Sequence, residues 1–202
     1  MKKRFALVAA LLFAFSLASP TGAVAKEEEQ GAFAFHAGDE FIEGATGERP
    51  GNVTRASSNG DTITVIATGE FRLDGRKASG TGSFAHRNAA GATVAVGSFT
   101  AGRLRSFTDF GTPGGFPFPT LHGGKADILI HVTAHPAPSL AATVKFDALL
   151  TIDCAFGRVP PGVEEGITLV IVTGPFAGLA FDQKVSGFTV FVAENEKEEE
   201  KD

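Results

Sequence analysis

Tyrosine and tryptophan are absent from this chain, and the single cysteine is Cys154. Without Tyr or Trp there are no sugar-stacking platforms of the usual kind and no polar-tipped aromatic anchors. One cysteine cannot close an intramolecular disulfide, so the fold must stand on its hydrophobic core. A thiol between Asp153 and Ala155 in an apolar stretch reads as buried and inert rather than nucleophilic, because reactivity needs a nearby base and an electropositive setting. Basic residues are in the minority, with 18 Lys and Arg against 23 Asp and Glu, and a duplex-binding protein needs the reverse. Nucleophile elbows, phosphate loops and paired-cysteine metal motifs are also missing, and Gly80-Thr81-Gly82 precedes a strand rather than a helix. No cofactor and no nucleic acid partner are therefore expected.

The chain does contain a basic start at Lys2, Lys3 and Arg4, an apolar run from Phe5 to Leu17, and the small-x-small end Ala23-Val24-Ala25. Residues 1–25 are the pattern of a signal peptide, and the apolar run is too short for the roughly 20 residues of a membrane span. Secretion is the expectation. Removing the leader takes three basic residues and no acidic ones, leaving 15 against 23, a balance of -8. Residues 26–31 and 194–202 are acidic ends that read as solvated tails. About 168 residues remain between leader and tail, enough for a single domain, taken as 32–193.

Apolar residues recur at every second position in Ile63, Val65, Ala67, Phe71 and Leu73, the period of a half-buried strand. Turns at Asp74-Gly75-Arg76 and Asn88-Ala89-Ala90-Gly91 fold this strand into a three-stranded meander from Asp61 to Phe107. Its strands share a phrase, Gly69-Glu70-Phe71, Gly82-Ser83-Phe84 and Gly97-Ser98-Phe99. Rows of glycine flanked by phenylalanine suit a strongly bent sheet. With the second turn centred on Ala89-Ala90, Phe99 is expected beside Gly80, and Gly97 beside Gly82. An odd-numbered loop there turns Val94 and Val96 inward and Phe99, Arg103 and Arg105 outward.

Further strands are expected at Ala32 to Ala37, Ala126 to His135, Ala142 to Asp153, Gly166 to Thr173 and Lys184 to Val192, with Gly44 to Gly60 a loop. Within that loop Asn52-Val53-Thr54 fits a glycosylation pattern, relevant only to a eukaryotic secretory route. The prolines of Gly111 to Gly124 exclude a helix and leave a loop that either plugs the core or covers one end as a lid. About eight strands and no long helix predict an all-β, antiparallel barrel, with a β-sandwich as the alternative.

Gly80-Thr81-Gly82-Ser83-Phe84-Ala85-His86, Gly97-Ser98-Phe99-Thr100-Ala101, Leu104-Arg105-Ser106-Phe107, Glu165-Gly166-Ile167 and Val185-Ser186-Gly187-Phe188-Thr189-Val190-Phe191 resemble an uncharacterised group of small exported bacterial proteins. That resemblance covers most of the mature chain and implies no activity. In architecture the Gly-x-Phe meander is similar to the small barrels of allene oxide cyclases and dirigent proteins, which implies shape and not chemistry.

His131 and His135 share a strand face, but positions four apart lie roughly 13 Å from each other, too far to ligate one ion. Arg103 and Arg105 are two apart and could grip a carboxylate or phosphate from two sides, or serve as a solvated strand edge. With Phe99 inward, both arginines are expected at the barrel mouth. The candidate ligand-binding residues are Phe84, His86, Phe99, Arg103 and Arg105, and the candidate partner is a small apolar or amphipathic molecule. The alternatives are a structural or cell-surface component without ligand, and a cyclase or isomerase that directs His86, Arg103, His131 or Asp153 into an apolar cavity.

Overall fold

The computed structural model describes residues 31–47, 51–112, 114 and 120–194. The expected leader, the acidic segment up to Gln30, the tail beyond Glu194 and the phenylalanines of the proline-rich loop lie outside them. The regular structure of the described chain is chiefly antiparallel strand: β1 (Ala32–Ala37), β2 (Asn52–Arg55), β3 (Thr62–Arg72), β4 (Lys77–Arg87), β5 (Thr93–Gly111), β6 (Leu121–Pro136), β7 (Val144–Cys154), β8 (Gly166–Ile171), β9 (Ala180–Phe181), β10 (Gln183–Ser186) and β11 (Thr189–Glu194). One short α-helix, α1 (Glu40–Thr46), starts at Asp39, whose side chain accepts from the Ile42 amide, and ends at Gly47.

Hydrogen bonds close a ring of six strands, in the order β3, β4, β5, β6, β11, β1 and back to β3. From β6 the sheet also runs outward through β7, β8 and β9, and from β3 it runs through β2 to β10. Alternation on β3 buries Ile63, Val65, Ala67 and Phe71 and exposes Ile66, Thr68, Glu70 and Arg72, as its sequence period requires. Strands β6 and β7 bury Ile128, Ile130, Val132, Ala148, Leu150 and Ile152 in the same way.

At one end the interior is filled by rings. Phe33 and Phe107 pack at a tilt with 4.7 Å between centroids, Phe71 and Phe107 likewise at 4.8 Å, and Phe107 meets Phe191 edge-on at 5.1 Å. Phe35 lies beside them, 6.5 Å from Phe71, against the facing glycines Gly69 and Gly80. A Cβ on Gly69 would stand 2.8 Å from the Phe35 ring, so the ring occupies the space those two residues leave open.

Several expectations need correction. Part of the expected loop is ordered as α1 and β2. Gly44 and the brevity of both elements hide them from a periodicity argument, which needs longer windows. Asn52 and Thr54 are fully buried, and the Asn52 side chain donates to the Phe188 carbonyl, so the glycosylation pattern has no exposed acceptor. The last expected strand is two, because Gly187 takes φ +122 beside Asn52, a backbone state reserved for glycine. Finally, β5 is shifted by two residues against β4: Gly82 faces Phe99 and Phe84 faces Gly97. The loop is wider than a two-residue turn, with Asn88 accepting from and donating to Ala92, and a register shift follows between His86 and Arg87. A shift of two preserves which face each residue occupies, so Phe99 still points inward.

Candidate functional site

The end of the interior opposite the phenylalanine cluster is not filled. An apolar crevice of about 90 Å³ lies there, lined by sixteen residues from β3 to β9 and the connector before β9. Ile63, Phe99, Val132, Leu169 and Phe181 form its buried floor, none more than 4% exposed. Phe84, Val144 and Phe146 stand partly exposed around it, and Phe176 at the rim is half exposed. Phe176 and Leu179 come from the connector Val172 to Leu179, whose tight turn is held by Gly178 donating to Ile171 and Leu179 donating to Phe176.

The strand order explains why these residues meet. The inward rows of β4 and β5 bring Phe84, His86 and Phe99 together at the end where Ala95 pairs with Pro136. Gly111 pairs with Gly123 at the other end of β5 and β6, so the described flanks of the proline-rich stretch lie at the far end from the crevice. Its expected role as plug or lid falls on residues outside those described. Over the crevice the covering segment is the Phe176 connector.

Fifteen of the sixteen lining residues are apolar, and the exception is His86. Its Nε2 lies 2.9 Å from Asp61 Oδ2, and its ring meets Phe181 edge-on at 5.2 Å. Asp61 is fixed in turn by the Ala89 amide donating to its other oxygen. Both side chains are only 15% exposed, so imidazole and carboxylate are held as a sheltered pair at the crevice wall.

Of the five residues singled out from sequence, Phe84, His86 and Phe99 therefore line one cavity, whereas Arg103 and Arg105 do not reach it. Both arginines are exposed, and Leu104 between them is the buried residue. The cause is a pair of bulges. Ala101 pairs with Ile130 and Arg103 with Leu129, which leaves Gly102 as an extra residue; Leu104 pairs with Ile128 and Ser106 with Asp127, which leaves Arg105 as another. The first bulge reverses the inward and outward alternation, so the inward Phe99 no longer implies arginines at a mouth.

His131 is also on the outside, 2.7 Å from Asp147 in an exposed pair. Asp153 lies away from the crevice in a second polar cluster, where its Oδ2 accepts from Lys184 Nζ at 2.6 Å and both side chains are nearly buried. Lys184 also donates to the Glu164 carbonyl. Beside them the Glu165 carboxylate accepts from the amides of Ala155 and Thr189 and from the Thr189 hydroxyl, at 2.6 to 2.7 Å. Burial raises the Glu165 carboxyl above its ordinary range, opposed by those donors and by Lys184. Cys154 is 3% exposed, and burial together with the Glu165 charge pushes its thiol up, which suppresses the thiolate.

Sequence reasoning did not assemble Asp61, Leu169, Ile171, Phe176 or Phe181 into this site. Phe176 and Leu179 carried a usable signal, since they are large apolar residues inside a glycine-bounded connector. Asp61 carried one as well, since the Asp74-Gly75-Arg76 turn pairs the start of β3 with the end of β4, where His86 lies. No helix among the described residues is long and apolar enough to cross a membrane. No protein-family model matches the chain, and neither curated proteins nor solved structures provide a match.

Proposed function

We propose that this is an exported protein whose strands close as a barrel of about eight, with a binding site for a small apolar molecule at its open end. Support for the closure comes from β9 and β10, which are separated by Asp182 alone and act as one bent segment. That segment pairs with β8 on one side and with β2 on the other, and the Asp182 amide donates to the Arg55 carbonyl at 3.0 Å. On this reading the path β2, β3, β4, β5, β6, β7, β8 returns to its start through the β9–β10 segment, whose two halves pair at the two ends of the sheet.

The observation that carries the binding reading is the lining itself. Apolar side chains surround an unfilled space at the same end where Phe176 is left half exposed. Burying apolar ligand surface there contributes about 25 cal/mol per Å² removed from water. The present volume of about 90 Å³ is below the roughly 300 Å³ of sites for drug-sized ligands. The occupant is accordingly compact, and a longer one requires Phe176 and Leu179 to swing aside.

The same small volume favours a second reading, a structural component of the cell surface or matrix with no ligand. Titration with methylcyclohexane, followed by NMR of labelled methyl groups, separates the two. Binding moves the signals of Ile63, Val132, Leu169 and Ile171 while Ile128 stays in place. Signals that remain unmoved up to the solubility limit leave the structural reading.

A further inference from the structure

We propose that the occupant of the crevice carries one hydroxyl group on its apolar skeleton, and that His86 recognises it through Nδ1. The assignment rests on the reading of the crevice as a binding site and names the class of molecule it takes.

The argument begins with the Asp61 carboxylate, which can only accept hydrogen bonds. It faces His86 Nε2 at 2.9 Å, so Nε2 carries the proton of that contact. In the neutral ring this leaves Nδ1 as a lone-pair acceptor. The tautomer is not free to switch, because moving the proton to Nδ1 would set the Nε2 lone pair against a carboxylate oxygen. The Ala89 amide holds Asp61 in place from its other oxygen, so the orientation of the ring is fixed before any ligand arrives. Among the described residues Nδ1 has no hydrogen-bond partner, whereas His36, His122 and His131 each use Nδ1 to meet an aspartate.

His86 is thus the one polar side chain on an otherwise apolar wall, with Nδ1 unpartnered among the described residues and the tautomer set by Asp61. A polar group in such surroundings discriminates strongly, because an occupant that leaves it unpaired forfeits its solvation without replacement. A hydroxyl satisfies it as donor. A ketone of the same shape presents only an acceptor, and a hydrocarbon presents nothing. The complementary ligand is therefore an apolar alcohol, with its hydroxyl toward β4 and its skeleton among Phe99, Val132, Leu169 and Phe181.

Three probes of one shape test this: cyclohexanol, cyclohexanone and methylcyclohexane, titrated into residues 26–202, the chain without its expected leader, and followed by amide and methyl NMR. The wild type is expected to bind cyclohexanol at least about fivefold more tightly than the other two, the usual effect of one buried hydrogen bond. His86→Phe keeps the wall and removes the acceptor, and it is expected to bind all three alike. A readout independent of that variant's folding is the nitrogen-15 shift of His86 Nδ1 in the wild type. It should move with cyclohexanol and stay still with methylcyclohexane.

Equal wild-type affinity for the three probes, or an unchanged alcohol preference in His86→Phe, overturns the role given to His86 and leaves the apolar site standing. Absence of binding by all three removes the site and the assignment together.

Discussion

The ring of Phe99 lies directly across from Gly82, in the space where a side chain on Gly82 would have to stand. The neighbouring pair repeats the arrangement in reverse, Phe84 facing Gly97. Gly82 on β4 and Gly97 on β5 thus each receive a ring from the opposite strand, which gives the repeated Gly-Ser-Phe phrase a physical reason. The sheet can bend there and still cover its backbone. Gly82→Ala should destabilise the protein by about 1–3 kcal/mol, since the new methyl meets both the Phe99 ring and the Ile66 carbonyl. Chemical denaturation measures the loss, and it should shrink in a Phe99→Ala background, where the ring is gone. An equal loss in both backgrounds means that the ring is not the obstacle.

The Lys184 and Asp153 pair makes a separate prediction. Their charges are 2.6 Å apart and nearly buried, and Asp153 Oδ1 has no partner among the described residues. Lys184→Met strands the carboxylate and should cost about 3 kcal/mol or more of unfolding free energy. Replacing both residues, Lys184→Met with Asp153→Leu, removes the stranded charge and should recover much of that loss. A double variant no better than the single one contradicts this account of the pair.

Glu165 provides a pH test with a definite sign. Burial holds its carboxyl above the ordinary value, so the folded chain binds that proton more tightly than the unfolded chain does. The folded state therefore loses this contribution as pH rises through the window between the ordinary and the raised value, and regains it as pH falls. Glu165→Gln has no proton to exchange. Compared with wild type, it should gain relative stability between about pH 4 and about pH 7, measured by urea unfolding at each. A relative loss over the same interval means that the donors from Ala155 and Thr189, rather than burial, govern the group.

These residues also show how far the sequence could be followed. The pairing of Gly69 with Gly80 was legible, because Asp74-Gly75-Arg76 is a tight turn that fixes register over the whole of β3 and β4. Phe84, His86 and Phe99 were legible as inward residues because the slip of β5 is by two. Arg103 and Arg105 were misplaced because one extra residue reverses the alternation until the second bulge at Arg105 restores it, and only Gly102, a glycine within a strand, hinted at it. The crevice joins residues more than a hundred positions apart, from Ile63 to Phe181, and its lining depends on the β9–β10 segment crossing between β8 and β2. Alternation sorts residues by face, but it carries no information about which faces meet.

The claim on which the rest depends is that one end of the interior is an accessible apolar space. A crystal structure under xenon pressure tests it most directly, since xenon enters dry apolar cavities and needs no chemical recognition. The account predicts a xenon atom among Ile63, Phe99, Val132 and Leu169, with none among Phe33, Phe71, Phe107 and Phe191. Xenon absent from the first group, with that end packed solid like the other, would contradict it.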